Sequence, residues 1–204
     1  MIDGGLDCKA LDDFNQKNNF ELRSATRIGS RTYANLNKTL CLKIATSKSQ
    51  KTTLNREAVF LRSNQKNFIP KYFDFCNYKF CSFLLMEFLH GTNFEILKPQ
   101  ISKCRKSQMM DRLLLNIKRV HSNGFVHCDI KPSNMIISDD EVYVIDWEFY
   151  QLIGTKICNI GLRPLSLGST HPDLIWGRGA ITAKIDEYSI MRIFDPDCSY
   201  KIHF

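Results

Sequence analysis

The sequence lacks the features that mark membrane, secreted and zinc-binding proteins. No apolar run approaches the roughly 18 residues of a membrane span, so no transmembrane helix is expected. The start, Met1-Ile2-Asp3-Gly4-Gly5, has no basic segment followed by an apolar stretch, so no secretory signal peptide is expected. The eight cysteines include no C-x-x-C pair, and no histidine pair has zinc-finger spacing. Free thiols in a reducing compartment are therefore expected.

The composition is that of an ordinary globular protein with an excess of positive charge. Hydrophobic residues make up 44% and charged residues 24% of the 204 residues, a length that predicts one domain. Lys and Arg outnumber Asp and Glu by 28 to 21, a formal net charge of +7. The densest basic segment, Lys103-Cys104-Arg105-Lys106, contains no aromatic residue, so nucleic-acid binding is not expected. This charge suits a phosphate-bearing ligand or an acidic partner. We also expect a monomer that does not insert into a membrane.

Hydrophobic periodicity places strands early in the chain and helices later. Residues 1–22 are polar and are interpreted as an N-terminal tail or irregular arm. A small sheet with one helix is predicted over 23–86, and a mostly helical region over 87–204. The individual predictions are a hairpin around Asn37-Lys38, helices over 50–63 and 107–122, a strand over 80–89, and strands at 135–137 and 142–145 joined by a turn at Asp139-Asp140. This order is typical of an α+β protein.

One segment concentrates the residue types that phosphoryl transfer needs. It reads His127-Cys128-Asp129-Ile130-Lys131-Pro132-Ser133-Asn134, and Asp146 follows seventeen residues after Asp129. The transition state spreads negative charge over phosphate oxygens, so one carboxylate must orient the acceptor hydroxyl. A second carboxylate and an amide oxygen must hold Mg²⁺, a cation that prefers oxygen ligands. Asp129, Asp146 and Asn134 are these residue types. Lys131 is a cation that can stabilise the transferred group.

This segment resembles the catalytic loop of eukaryotic-type Ser/Thr protein kinases. Together with the helix before it, the segment follows the pattern H-R-D-L-x-x-x-N with a later D-F-G. By that resemblance Asp129 is the catalytic base and Lys131 contacts phosphate, while Asn134 and Asp146 bind Mg²⁺. A lysine two residues after the catalytic aspartate is typical of the Ser/Thr branch. The resemblance implies ATP as donor, a protein as acceptor and a two-lobed kinase-like α+β fold.

Residues upstream match the nucleotide-binding part of the same family in the expected order. Ile28-Gly29 aligns with the start of the glycine-rich loop, and both residues are candidates for nucleotide contact. Arg31 and Ala34 stand where the pattern has its other glycines. Lys43 follows fourteen residues after the glycine and resembles the lysine of V-A-I-K. Glu57, on the predicted helix, is suited to pair with Lys43 and hold it against the α- and β-phosphates.

Two later resemblances cover the hinge and the activation segment. Met86-Glu87-Phe88-Leu89 looks like the hinge, with Met86 as the gate and the backbone of Glu87 to Leu89 expected to bind adenine. Residues 168–173 resemble the end of the activation segment, G-T…A-P-E. Asp186 begins a segment similar to D-x-W-S-L-G, and it is expected to brace the catalytic loop through backbone hydrogen bonds.

The chain departs from the family pattern in three places. Trp147-Glu148 replaces Phe-Gly, which suggests a segment that flips less readily. Cys128 replaces the arginine that pairs with a phosphorylated activation loop in many kinases, so activity without loop phosphorylation is expected. Only eighteen residues follow Asp186 to the end of this sequence, so a truncated C-lobe is expected.

Minimal kinases of this kind resemble bacterial type III secreted effectors, one family of which targets the host ninety-kilodalton heat-shock chaperone. The resemblance implies a virulence effector that is injected into the host cytosol and phosphorylates a host protein such as that chaperone. Without injection, a cytoplasmic location is expected.

Two other functions remain open on the sequence. Small-molecule kinases of the aminoglycoside or choline type also carry H-x-D-x-x-x-x-N and often I-D-W-E, which this chain has at 145–148. Lys131-Pro132 and Pro172-Asp173 argue against them. A pseudokinase that acts as a binding module is favoured by the depleted glycine loop, whereas the presence of all the expected acidic and basic site residues argues against it.

Overall fold

The structure is a computed structural model that describes residues 8–139, 141–166 and 168–196. The chain divides into two compact units, Met1–His90 and Gly91–Phe204. The finer domain bounds suggested by the sequence, 1–22, 23–86 and 87–204, stay predictions. Residues 1–7 of the predicted tail and Asp140 of the predicted turn lie outside the described residues.

The first unit is built on a five-stranded antiparallel sheet with the strand order β1-β2-β3-β5-β4. The strands are β1 (Thr26–Arg27), β2 (Thr32–Ala34), β3 (Leu40–Ala45), β4 (Tyr72–Asn77) and β5 (Ser82–Glu87). The hairpin predicted around Asn37-Lys38 is confirmed, because Thr32 pairs with Lys43 across β2 and β3. Since β3 pairs with β2 on one side and β5 on the other, Lys43 lies on the central strand of the sheet.

A helix precedes the sheet where the sequence predicted an irregular arm, and that prediction is wrong for α1 (Cys8–Asn18). Phe14 is fully buried in the core of the first unit, and its ring centroid lies 5.0 Å from that of Phe83. Lys17 and Asn18 both donate hydrogen bonds to Asp74 on β4. Burial alone would raise the pKa of Asp74, but these bonds outweigh it and hold the pKa below its usual value.

The helix predicted over 50–63 is confirmed as α2 (Lys48–Ser63). It begins with a capping box, in which Ser47 Oγ accepts the Gln50 N–H while the Gln50 side chain accepts the Ser47 N–H. The buried face of the helix consists of Leu54, Glu57, Ala58, Phe60 and Leu61. A glutamate therefore shares a face that is otherwise apolar.

Among its described residues, the second unit contains a 19-residue helix and two small antiparallel sheets, with the strand orders β6-β8-β9 and β10-β7. Its elements are β6 (Thr92–Asn93), α3 (Phe94–Leu97), α4 (Lys103–His121), β7 (Phe125–Val126), β8 (Met135–Ser138), β9 (Glu141–Val144), β10 (Gln151–Leu152), α5 (Pro172–Trp176) and α6 (Lys184–Phe194). The helix predicted over 107–122 and the strands predicted at 135–137 and 142–145 are confirmed, with Met135 opposite Val144.

The buried face of α4 carries polar as well as apolar side chains. Leu113, Ile117 and Val120 are buried at helical spacing, and Met109 is buried with them. His121 is also buried, at the last residue of the helix. Within the described parts of the chain, no helix is long and apolar enough to cross a membrane. The mixed α+β architecture is the class that the sequence predicted.

Candidate active site

Lys43 and Glu57 form an ion pair inside the first unit. Lys43 Nζ lies 2.8 Å and 2.9 Å from the two carboxylate oxygens of Glu57. The side chains retain only 13% and 2% of their exposure, so the pair is largely shielded from water. The ion pair that the sequence predicted between these two residues is therefore present in the structure. An ammonium held by both oxygens of one carboxylate is a fixed cation, as phosphate binding requires.

The turn that carries Ile28 and Gly29 is short and closed by its own backbone. Thr32 O accepts the Ile28 N–H at 2.9 Å and the Gly29 N–H at 3.2 Å. Ala34, which the alignment placed at a glycine of the loop, lies in β2 and is fully buried. The turn is therefore confined to residues 28–31, and Ala34 contributes to the core instead.

The predicted adenine-binding segment follows the gate residue at the end of β5. Met86 is buried and paired with Cys41. The Glu87 N–H donates to Lys71 O, and the Phe88 N–H donates to Thr39 O. The Leu89 N–H has no acceptor among the residues that the structure describes. Leu89 is therefore the available backbone donor of this segment.

In the second unit, the catalytic-loop candidates surround one buried carboxylate. Lys131 Nζ donates to Asp129 Oδ2 at 2.7 Å, and Asn134 Nδ2 donates to the same oxygen at 3.3 Å. Asn134 Nδ2 also donates to the backbone oxygen of Asp129 at 3.1 Å. The structure thus brings together three of the residues that the sequence singled out.

A serine that the sequence reasoning missed completes this arrangement. Ser166 Oγ donates to Asp129 Oδ1 at 2.8 Å. The Ser166 N–H donates to Thr170 Oγ1, and Thr170 Oγ1 donates back to Ser166 O. Ser166 lies just before residues 168–173, which resemble the end of the activation segment, and it is the hydroxyl that contacts the candidate base.

Asp186 braces the catalytic loop from α6, as the resemblance implied. Its side chain is fully buried and accepts the backbone N–H of His127 at 2.8 Å and of Cys128 at 2.9 Å. His121 Nε2 lies 2.9 Å from the same carboxylate. Cys128 has a φ of 69°, a left-handed conformation that is unfavourable for a non-glycine residue. The two hydrogen bonds that the Asp186 carboxylate accepts stabilise this conformation.

His127 connects the loop to the strand that delivers Asp146. Its Nδ1 accepts the Asp129 N–H, so Nε2 carries the proton and donates to Ile145 O at 3.1 Å. The Ile145 N–H donates to Asn134 O at 3.0 Å. These bonds bring the backbone of Asp146 beside the catalytic loop. Asp146 has φ 63° and ψ 58°, a strained conformation of the kind that clusters at functional sites.

Asn134 and Asp146 suit a magnesium ion that is also held by phosphate oxygens. The two hydrogen bonds from the Asn134 amide to Asp129 both use Nδ2, so neither occupies its oxygen. Among the described residues, no group of three or more His, Cys, Asp and Glu could hold a metal ion. Mg²⁺ is commonly bound by one or two side chains together with phosphates and waters, so two oxygen ligands from the chain can suffice.

Comparison with known proteins assigns the family. Residues 30–192 match the protein kinase domain. The chain belongs to the protein kinase family. It is similar to the stress-activated protein kinase JNK of Drosophila melanogaster, with 26% identity over 111 residues, 53% of this chain and 29% of that protein. It is also similar to serine/threonine-protein kinase D of Synechocystis sp., with 27% identity over 129 residues, 63% of this chain and 24% of that protein.

The kinase family membership agrees with the predicted two-lobed α+β class and with the order of the motifs. A protein kinase domain in general uses ATP and a divalent metal ion. The chain spans less than a third of the length of either curated relative.

Proposed function

We propose that this protein is a Ser/Thr protein kinase that transfers the γ-phosphoryl group of ATP to a protein hydroxyl. The observation that carries the proposal is the buried Asp129 carboxylate, which accepts Lys131 on one oxygen and Ser166 on the other. A carboxylate fixed at both oxygens has a defined orientation toward an acceptor hydroxyl. The name of the Synechocystis relative, serine/threonine-protein kinase D, and the lysine two residues after Asp129 support the Ser/Thr assignment.

In this mechanism, Asp129 orients the acceptor hydroxyl and takes its proton. The hydroxyl oxygen forms a bond to the γ-phosphorus while the bond from that phosphorus to the β,γ-bridging oxygen breaks, and ADP leaves. Lys131 stabilises the negative charge on the transferred group, and Lys43 binds the α- and β-phosphates. Ile28, Gly29 and the backbone of Glu87 to Leu89 contact the nucleotide.

Asn134 and Asp146 are the residues that would hold Mg²⁺. When bound, the ion would supply positive charge that stabilises the negative charge of the phosphate groups. The contribution of the chain is to fix two oxygen ligands. Asn134 is fixed through its bonds to Asp129, and Asp146 through the backbone bonds of Ile145.

The proposal is tested with a single conservative change at the carboxylate. Asp129→Asn keeps the shape of the side chain but removes the base, and we expect phosphate transfer to a protein substrate to fall by at least about a hundredfold. Asp139→Asn is the matched control, because Asp139 is an exposed residue of the same unit whose positive φ an asparagine tolerates. Equal activity in wild type and Asp129→Asn would contradict the proposal.

Two alternatives are outcomes of the same assay. The Ile145-Asp146-Trp147-Glu148 sequence favours a small-molecule kinase, which would phosphorylate an aminoglycoside or an amino alcohol without labelling protein. A pseudokinase would label neither class, and Asp129→Asn would leave its biological effect unchanged.

Trp147 is buried, donates Nε1–H to Val144 O at 2.9 Å and packs against His127. Its core role explains the motif without a small-molecule substrate.

The substrate proposal is a host protein, and specifically the ninety-kilodalton heat-shock chaperone. It rests on the resemblance to minimal secreted effector kinases, which also implies injection into the host cytosol. The test is to incubate the protein with γ-labelled ATP and purified chaperone beside an unrelated chaperone, and to repeat both with Asp129→Asn. Labelling of the ninety-kilodalton chaperone by wild type alone supports the proposal. Equal labelling of both chaperones, or of neither, contradicts this substrate while leaving kinase activity to be judged separately.

A further inference from the structure

The side chain of Arg27 binds the turn between β1 and β2. Its Nε donates to Gly29 O at 3.0 Å, and its Nη2 donates to Ser30 O at 2.7 Å. One guanidinium therefore binds two consecutive backbone carbonyls, a use of its planar fork that an ammonium does not reproduce. Arg27 is exposed, so packing in the core does not account for this arrangement.

The other backbone bonds of the turn leave the Ser30 N–H available. The Ile28 and Gly29 N–H groups both donate to Thr32 O, and Arg31 O accepts the Ile44 N–H. Within the described chain, the Ser30 N–H has no protein acceptor. Since the carbonyls of Gly29 and Ser30 are bound by Arg27, the group that the tip of the turn offers to a ligand is an N–H. Phosphate oxygens bind such backbone donors.

The bonds of Arg27 also matter because this loop contains only one glycine. Glycines let a phosphate-binding loop bring its backbone close to the nucleotide, but they leave the empty loop with many conformations. This turn has one glycine, which lacks a positive φ and whose added Cβ would make only ordinary contact with Thr32 at 3.4 Å. The conformation of the turn is therefore set by its hydrogen bonds rather than by glycine.

We propose that Arg27 is a positioning residue for the phosphates of the nucleotide. By binding Gly29 O and Ser30 O, it holds the 28–31 turn in the conformation that presents the Ser30 N–H to a phosphate oxygen. This inference rests on the proposed function, because it requires ATP at this turn. It assigns a role to a residue outside the motifs that the sequence matched.

The binding test compares ligands with and without phosphates on the full chain. Isothermal titration with ADP and Mg²⁺, and with adenosine, is performed on wild type, Arg27→Ala, Arg27→Lys and the control Arg62→Ala. Arg62 is an exposed arginine of the last turn of α2 in the same unit. We expect Arg27→Ala to weaken ADP binding by about tenfold and Arg27→Lys to weaken it similarly, because the fork is lost in both. We expect the affinity for adenosine to stay unchanged in every variant, and the affinity for ADP to stay unchanged in Arg62→Ala.

A second measurement separates positioning from direct phosphate contact. Hydrogen–deuterium exchange of the 28–32 segment, without nucleotide, is expected to be faster in Arg27→Ala than in wild type. The inference is overturned if Arg27→Ala binds ADP as tightly as wild type, or if it loses as much affinity for adenosine as for ADP. It is also overturned if Arg27→Lys behaves like wild type. Weaker ADP binding with unchanged exchange also overturns it, since Arg27 would then contact phosphate directly. If wild type binds neither ADP nor adenosine, the proposed function fails instead, and the exchange comparison still judges the Arg27 contact.

Discussion

The Ser166 hydroxyl donates a 2.8 Å hydrogen bond to Asp129 Oδ1. With Lys131 on the other oxygen, this bond leaves the carboxylate little freedom to rotate. The serine is held by the hydrogen bonds of its backbone to Thr170, so the orientation of the candidate base depends on the contact between Ser166 and Thr170. These two residues therefore have a direct part in the proposed chemistry.

Replacement of Ser166 is expected to lower kcat with less effect on the KM for ATP. Ser166→Ala removes the bond to Asp129 Oδ1, and a misoriented base lowers the rate by about ten- to a hundredfold. Ser166→Thr retains a hydroxyl and is expected to keep most of the activity. Steady-state kinetics of the three proteins with one peptide substrate provide the measurement. Equal kcat in Ser166→Ala and wild type would show that the bond has no catalytic consequence.

Replacement of Glu57 is expected to affect both ATP use and stability. Glu57→Gln replaces the carboxylate that holds the Lys43 ammonium, which is 13% exposed, by a neutral amide. We expect the KM for ATP to rise and the free energy of unfolding to fall by about 1–3 kcal/mol. Urea denaturation and ATP titration measure the two effects. The exposed Glu95 provides the control Glu95→Gln, which should change neither quantity.

Asp186 is expected to be needed for both the stability and the geometry of the catalytic loop. In Asp186→Asn, an amide NH₂ replaces one of the oxygens that accept from His121, His127 and Cys128. We expect the protein to lose about 2–3 kcal/mol of unfolding free energy, together with its activity. The comparison is urea denaturation beside Asp195→Asn, a change at an exposed aspartate just after α6. If the urea concentration at the unfolding midpoint were as high for Asp186→Asn as for Asp195→Asn, the bracing role of Asp186 would be refuted.

His171 is expected to make stability depend on pH below neutrality. Burial lowers its pKa, with the charge of Asp173 opposing in part. Its Nδ1 accepts the Asp173 N–H at 3.1 Å and caps α5, which protonation of Nδ1 prevents. Because the folded pKa lies below the unfolded value of about 6.5, this contribution is complete above that pH and is lost as pH falls through the folded pKa.

The test of this pH effect is unfolding free energy measured between pH 5 and 7.5 (about the range in which histidine titrates). Wild type is expected to lose about 1 kcal/mol toward the acid end, the usual value of a helix cap. His171→Asn keeps a capping side chain without a titrating ring, so it should lose less. Parallel curves for the two proteins would assign the acid sensitivity to other groups.

Much of the fold could be predicted because the residues that form the hydrophobic pattern of the sequence are the ones buried in the core. The apolar spacing of Leu113, Ile117 and Val120 predicts a helix, and these residues are buried in α4. The hairpin at Asn37-Lys38 follows from alternating strands with a polar turn. By contrast, α1 was missed because Phe14 is one of few large apolar residues in a polar segment, and its helix packs through contact with distant Phe83.

The site was predictable where its residues are close in sequence, and less so where the fold brings distant residues together. Asp129, Lys131 and Asn134 lie in one segment, so their type and spacing were sufficient. Ser166 could not be chosen from its neighbours, because its role depends on a contact with Asp129, which is distant in the sequence. Arg27 was missed for a related reason: its bonds go to backbone oxygens, which leave no side-chain pattern in the sequence.

The central claim is that Asp129 and Asp146 serve phosphoryl transfer from ATP to a protein hydroxyl. The most direct measurement is to incubate the purified protein with γ-labelled ATP, Mg²⁺ and a protein substrate, and to identify the labelled residue by mass spectrometry, with Asp146→Ala alongside. The account predicts phosphoserine or phosphothreonine with wild type, and a loss of about a hundredfold or more with Asp146→Ala. Undiminished labelling by Asp146→Ala, or no labelled protein with wild type, would contradict it.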